Sequence, residues 1–157
     1  MNDREPFQIM VTPLGRSRTS EIESVAIGNL AFLADYEGSI YHVKLDEERL
    51  RMQYAASLAI FPVPVNKYIA ALLNEKGKDG TARVDLIKFY TIDEKLWRVV
   101  KTDDRGRPVT IASQIKYLLR MQFPVQVKDP AEGIEYWAIH MPRTIEEARE
   151  EIAAWKF

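Results

Sequence analysis

Two stretches in the second half of the chain, residues 83–101 and 123–141, each carry a β-rich run, a short turn and a second β-rich run. That is the pattern of a chain doubling back as a hairpin, and strands joined by a tight turn can only pair antiparallel. In the first stretch Asp93-Glu94-Lys95 separates residues 83–92 from residues 96–101. In the second, Phe123, Val125 and Val127 alternate with Pro124, Gln126 and Lys128, residues 129–133 supply the turn, and Pro124 marks an edge strand. Two such signals argue against a fully parallel, doubly wound sheet, whose crossovers need a dozen or more residues.

The remaining elements alternate. Residues 7–12 read as a strand closed by Pro13 and Gly15. Ser20 with Glu23 forms a capping-box pattern ahead of a helical stripe of Ile22, Ala26, Leu30 and Leu33. Residues 35–38 read as a turn, after which Tyr41, Val43 and Leu45 alternate as a half-buried strand. Asp46 caps a helix over 47–58 that carries Leu50, Tyr54 and Leu58 on one face.

Pro62 and Pro64 share parity within residues 59–65, so their missing N–H groups fall on one side of an extended segment, read as an edge strand or polyproline-like connector. Asn66 then caps a short helix ended by Gly77. Thr110 caps another helix with Ile111, Ile115, Leu118, Leu119 and Gln122 on its face. Thr144 and Glu147 box the last one, striped by Ile145, Ala148, Ile152 and Trp155 with a Glu-rich outer face. The expected architecture is α+β: a mainly antiparallel sheet with two hairpins, covered by four to five amphipathic helices. With 157 residues, 46% of them hydrophobic, the chain is expected to form one domain over 1–157, with residues 1–6 loose.

Charge narrows the function classes. Twenty-two basic residues against 23 acidic give a net charge of -1, without the cationic excess usual for a nucleic-acid binder. The absence of cysteine removes disulfides, thiolate metal sites and cysteine nucleophiles, and points to a reducing, cytoplasmic setting. No run of about 18 apolar residues marks a membrane span.

Candidate chemistry is sparse. The two histidines, His42 and His140, have no metal-ligand spacing. His42 reads as a strand-surface residue and His140 as a partly buried, satisfied structural one. All seven glycines are isolated, so no loop of clustered backbone N–H groups cradles a phosphate. Asp85 followed by Asp93, Glu94 and Lys95 loosely resembles the carboxylate-and-lysine core of metal-dependent nucleases, which would hold Mg²⁺. Arg105 and Arg107 flank Gly106 in a charged loop and are candidates for phosphate or anion binding. Trp155 and Phe157 widen the apolar arc of the last helical turn, as a dimer interface would. The functional expectation is a non-enzymatic accessory or protein-interaction protein without a cofactor, possible as a homodimer. The alternative is a Mg²⁺-dependent nucleic-acid-processing enzyme acting through Asp85, Asp93, Glu94 and Lys95.

Overall fold

The structure is a computed structural model that describes residues 4–124, 128–129, 134–135 and 137–156. Its centre is a four-stranded antiparallel sheet in the order β2-β3-β1-β8, formed by β1 (Pro6–Val11), β2 (Ala34–Lys44), β3 (Arg83–Thr91) and β8 (Ile139–His140). Two small ribbons accompany it: β4 (Val99–Thr102) with β5 (Pro108–Thr110), and β6 (Lys128–Asp129) with β7 (Ile134–Glu135). Among the described residues there are six helices: α1 (Thr19–Leu30), α2 (Glu47–Gln53), α3 (Ala55–Ile60), α4 (Pro62–Asn74), α5 (Ile111–Gln122) and α6 (Ile145–Ala154). The α+β, antiparallel expectation is met.

Side-chain parity divides the core across the sheet. Phe7, Ile9 and Val11 of β1, with Ile87 and Phe89 of β3, face α1 and α5. Met10, Val84 and Leu86 face α2, α4 and the end of α6. Phe7 stacks on Phe89 at 5.3 Å and receives the edge of Trp97 at 5.5 Å, which closes the first layer.

Gln8 belongs to the second parity and is fully buried, and among the described residues neither its amide nitrogen nor its oxygen has a partner. A buried amide left unbonded costs about 1–3 kcal/mol. Replacing Gln8 with methionine, which keeps the volume, is therefore expected to raise the thermal midpoint by roughly 2–10 °C in a calorimetric scan. A lowered midpoint would mean that the amide is satisfied.

Several local readings shift. Residues 35–38 lie inside β2 rather than forming a turn. They make a bulge against β3 between Tyr36 and Ile40, where Gly38 takes φ 91°, a conformation that side-chain-bearing residues rarely adopt. Pro62 and Pro64 start α4 instead of an extended connector, because the first helical turn needs no N–H partner. Asn66 sits within that helix and donates Nδ2–H to the Pro62 carbonyl at 2.7 Å. The strand after β3 does not return along it: β3 is paired on both sides, by β1 and β2, so residues 99–102 form their own ribbon with β5. The second hairpin appears as β6 with β7, while residues 125–127, 130–133 and 136 lie outside the described residues.

Trp155, expected at an interface, is fully buried, and its Nε1–H donates to Gln53 Oε1 at 2.5 Å, pinning the end of α6 to α2. Phe157 lies outside the described residues. Among the described residues no helix is long and apolar enough to cross a membrane.

Candidate active site

β8 joins the sheet through Met10↔His140 and Val11↔Ile139, and the Thr12 N–H donates to the Ala138 carbonyl at 2.9 Å. Cross-strand partners share a face, so His140 projects with Met10 toward α2, α4 and α6. There it meets Glu151, whose Oε2 lies 2.8 Å from His140 Nε2, and the ring edge of Tyr54, with centroids 5.1 Å apart. Tyr54 in turn meets Tyr68 of α4 edge-on at 5.6 Å.

These groups form the floor of a cleft of about 540 Å³. One wall is the α3–α4 corner, with Phe61 about half exposed. The opposite wall is α5, with Lys116, Tyr117 and Arg120. Arg143 and the loop between β4 and β5, bearing Arg105 and Arg107, close one end. Five cationic side chains thus surround the opening, against three carboxylates, Glu147, Glu150 and Glu151, from α6.

Three of the cations, Arg107, Arg120 and Arg143, are held by the fold. Arg143 Nη2–H donates to the Pro108 carbonyl at 2.7 Å, tying the start of α6 to β5. Arg120 donates Nε–H to the Ile139 carbonyl at 3.3 Å and lies 5.0 Å over the Trp137 ring. The β4–β5 loop is fixed by Asp103, whose Oδ1 accepts from the Arg105 and Arg107 N–H groups and whose Oδ2 accepts from Arg107 Nε–H at 3.0 Å. Gly106, at φ 77°, provides the left-handed step of that turn.

Burial sets the protonation states. His140 is pushed well below its ordinary value, first by desolvation and then by the Lys116 and Arg120 charges, so it is neutral at pH 7. Desolvation raises the Glu151 carboxyl, and the Lys116 ammonium opposes that rise. Lys116 is itself lowered to about 7, by burial first and then by Arg120. Two polar atoms at this floor, Tyr54 Oη and Glu151 Oε1, are buried without a hydrogen-bond partner among the described residues. Such atoms are rare unless a ligand or water meets them. When Glu151 is ionised it accepts from Nε2–H, which leaves Nδ1 as the lone-pair nitrogen of the ring. A neutral, oriented imidazole beside a cluster of cations is equipped to accept a phosphoryl group.

The carboxylates singled out for metal chemistry do not converge. Asp85 lies inside β3 near its start and Asp93 just beyond its end, and eight residues of extended chain put them about 25 Å apart. Among the described residues no group of three His, Asp or Glu side chains could hold a metal ion. Asp93 Oδ1 caps a helical turn over Glu94–Trp97 by accepting from the Lys95 N–H, so Asp93, Glu94 and Lys95 are turn residues.

Asp85 is a buried structural anchor. It accepts from Arg16 Nε–H at 3.1 Å and Thr19 Oγ1–H at 2.7 Å, and lies 2.5 Å from His42 Nδ1, joining the start of α1 to the sheet. Removing one member of a buried charged network leaves the others unpaired, so Asp85→Ala is expected to cost about 3–5 kcal/mol in urea unfolding. His42→Ala, at a mostly exposed side chain, is expected to cost under about 1 kcal/mol.

Arg105 and Arg107, singled out from sequence, do reach the cleft. His140, read as structural, is its floor. Tyr54 was read only as a packing residue of the 47–58 helix, and Lys116, Arg120, Arg143 and Glu151 were not singled out.

No family model matches the chain, and no curated protein sequence matches it. Solved structures do. The nucleoside diphosphate kinase of Aquifex aeolicus superposes with a TM-score of 0.52 at 15% identity, over 96% of this chain and 94% of that one. An NDP kinase from Pyrobaculum aerophilum matches at a TM-score of 0.49 and 13% identity, over 98% and 96%. The expectation of a non-enzymatic accessory protein is corrected by the first likeness, since this fold is one on which an enzyme is built, and the nuclease alternative by the scattered carboxylates. At this identity the likeness establishes the fold, and the fold is that of a nucleoside diphosphate kinase.

Proposed function

We propose that the protein transfers phosphoryl groups between phosphate-bearing substrates by way of a phosphohistidine at His140. The carrying observation is the neutral imidazole held through Nε2 by Glu151 at the floor of a cleft ringed by Arg105, Arg107, Lys116, Arg120 and Arg143. Likeness of fold to a nucleoside diphosphate kinase supports a nucleoside triphosphate as donor and a diphosphate as acceptor.

The chemistry runs from the chain's own groups. The guanidiniums neutralise the phosphate oxygens and hold the terminal phosphorus near Nδ1. The Nδ1 lone pair forms the N–P bond as the bond to the bridging oxygen breaks, and the diphosphate leaves. In its ionised form Glu151 holds the positive charge that develops on the ring through the Nε2–H hydrogen bond. The acceptor's terminal oxygen then attacks the phosphohistidine, restoring the neutral ring. This two-step form needs no separate base for a substrate hydroxyl, since both partners are phosphate oxygens.

The test is direct labelling. Incubation with ATP labelled at the terminal phosphate is expected to give an acid-labile, alkali-stable phosphoprotein. The label should pass to added diphosphate and be lost in His140→Asn. Label that is acid-stable, or that survives in His140→Asn with the same lability, would overturn the assignment.

A further inference from the structure

We infer that Lys116 is a covalent capture site for small aldehydes that carry a phosphate group. The inference rests on the reading of the cleft as a phosphate site but goes beyond phosphoryl transfer, because its reactive atom is an amine.

Lys116 lies on the cleft wall and is only 7% exposed, under the opposing charges of Arg120 and Arg143 on one hand and Glu147 and Glu151 on the other. A lysine this far out of solvent is an expensive group to retain. Arg120, one helical turn on along α5, and Arg143 across the cleft place guanidiniums beside it. Their charges hold a phosphate, and the ring of Tyr117 offers an apolar wall for the body of a small ligand. Glu147 and Glu151 face the amine from α6 and can relay protons. The depressed basicity of Lys116 supplies free amine near neutral pH.

The step balances without an outside reagent. The uncharged Nζ attacks the carbonyl carbon, and a carboxyl of α6 protonates the oxygen to give a carbinolamine. Loss of the nitrogen proton and of water then forms the C=N bond. One amine and one aldehyde become one imine and one water.

Pyridoxal 5′-phosphate and its phosphate-free counterpart pyridoxal serve as probes, each trapped with borohydride at pH 7 and mapped by peptide mass spectrometry. Binding of inorganic pyrophosphate is followed in parallel by calorimetry. The chain has ten lysines. Lys116 is expected to label at least tenfold faster than any other, at least tenfold faster with the phosphorylated probe, and to be protected by pyrophosphate. Lys116→Arg, which keeps the charge, should bind pyrophosphate and lose the adduct. Pyrophosphate binding with labelling spread over surface lysines, or equal labelling by the two probes, would overturn the capture site and leave the phosphate reading intact. Absence of both pyrophosphate binding and Lys116 labelling would overturn both.

Discussion

Lys116→Met is expected to make the protein more stable and its cleft weaker. Lys116 is lowered from 10.5 to about 7, so between those pH values the unfolded chain binds a proton that the folded chain does not. Stability attributable to this residue therefore rises with pH across that window, and below pH 7 the penalty for burying the ammonium is present in full. Methionine removes the charge and keeps the stem. Each pKa unit is worth about 1.4 kcal/mol, and methionine also gives up the attraction to Glu151, so a gain on the order of 2–4 kcal/mol is expected at pH 6.5. The difference between variant and parent midpoints should shrink as pH rises from 7 and vanish near 10.5. Over the same series, pyrophosphate affinity at pH 6.5 should fall by about tenfold to a hundredfold, the worth of one charge-assisted contact. A variant that is less stable than the parent at pH 6.5 would show that the ammonium is well paired, and the cleft would lose its strained cation.

That strained cation explains why the fold was more legible than the site. Alternation and caps are local, and they placed β1, α1, α2, α5 and α6 because hydrophobic periodicity, Asp46, Thr110 and Thr144 act within a few residues. The pairing of β3 was not local. Nothing in residues 83–101 reveals that both edges of β3 are already taken by strands some 50 and 80 residues earlier.

The site fails the same way, with one exception. On α5 the buried positions are Ala112, Ser113, Lys116 and Leu119, so the stripe is rotated from the expected face of Ile111, Ile115, Leu118, Leu119 and Gln122. On α6, Glu151 sits between Ala148 and Ala154 on the buried side, where the Glu-rich surface reading had no place for it. In both helices a charged residue at core spacing was the signal available, and treating it as surface erased it. Functional groups break the pattern that makes helices readable. Arg105 and Arg107 were found because a turn rich in charge around Gly106 is itself a local pattern. His140 could not be raised above a structural histidine without Glu151, eleven residues away and brought near only by the reversal between β8 and α6.

Glu151→Gln tests whether that reversal serves the chemistry. Once the pH is high enough to ionise its raised carboxyl, Glu151 accepts only, so it commits Nε2 to carrying the proton and Nδ1 to the lone pair. A glutamine amide is of similar size and can present either its oxygen or its NH₂, so the ring is free to adopt the tautomer with Nδ1 protonated and unreactive. It also removes the negative charge that steadies the ring while Nδ1 is bonded to phosphorus. At a pH where the Glu151 carboxyl is ionised, the expected result is a fall in kcat of about 10²- to 10³-fold, with KM within about threefold, because Glu151 faces the ring and the arginines face the phosphate. The folded protein should not suffer: desolvation holds the carboxyl well above its ordinary range, and between that range and the raised value the folded state keeps a proton that the unfolded chain releases. In that window stability falls as pH rises, and the neutral amide removes the dependence, so Glu151→Gln should gain on its parent toward alkaline pH. Rate loss with unchanged or improved stability separates a positioning residue from a structural one. Steady-state kinetics within threefold of the parent would mean that Nδ1 is oriented by something other than Glu151.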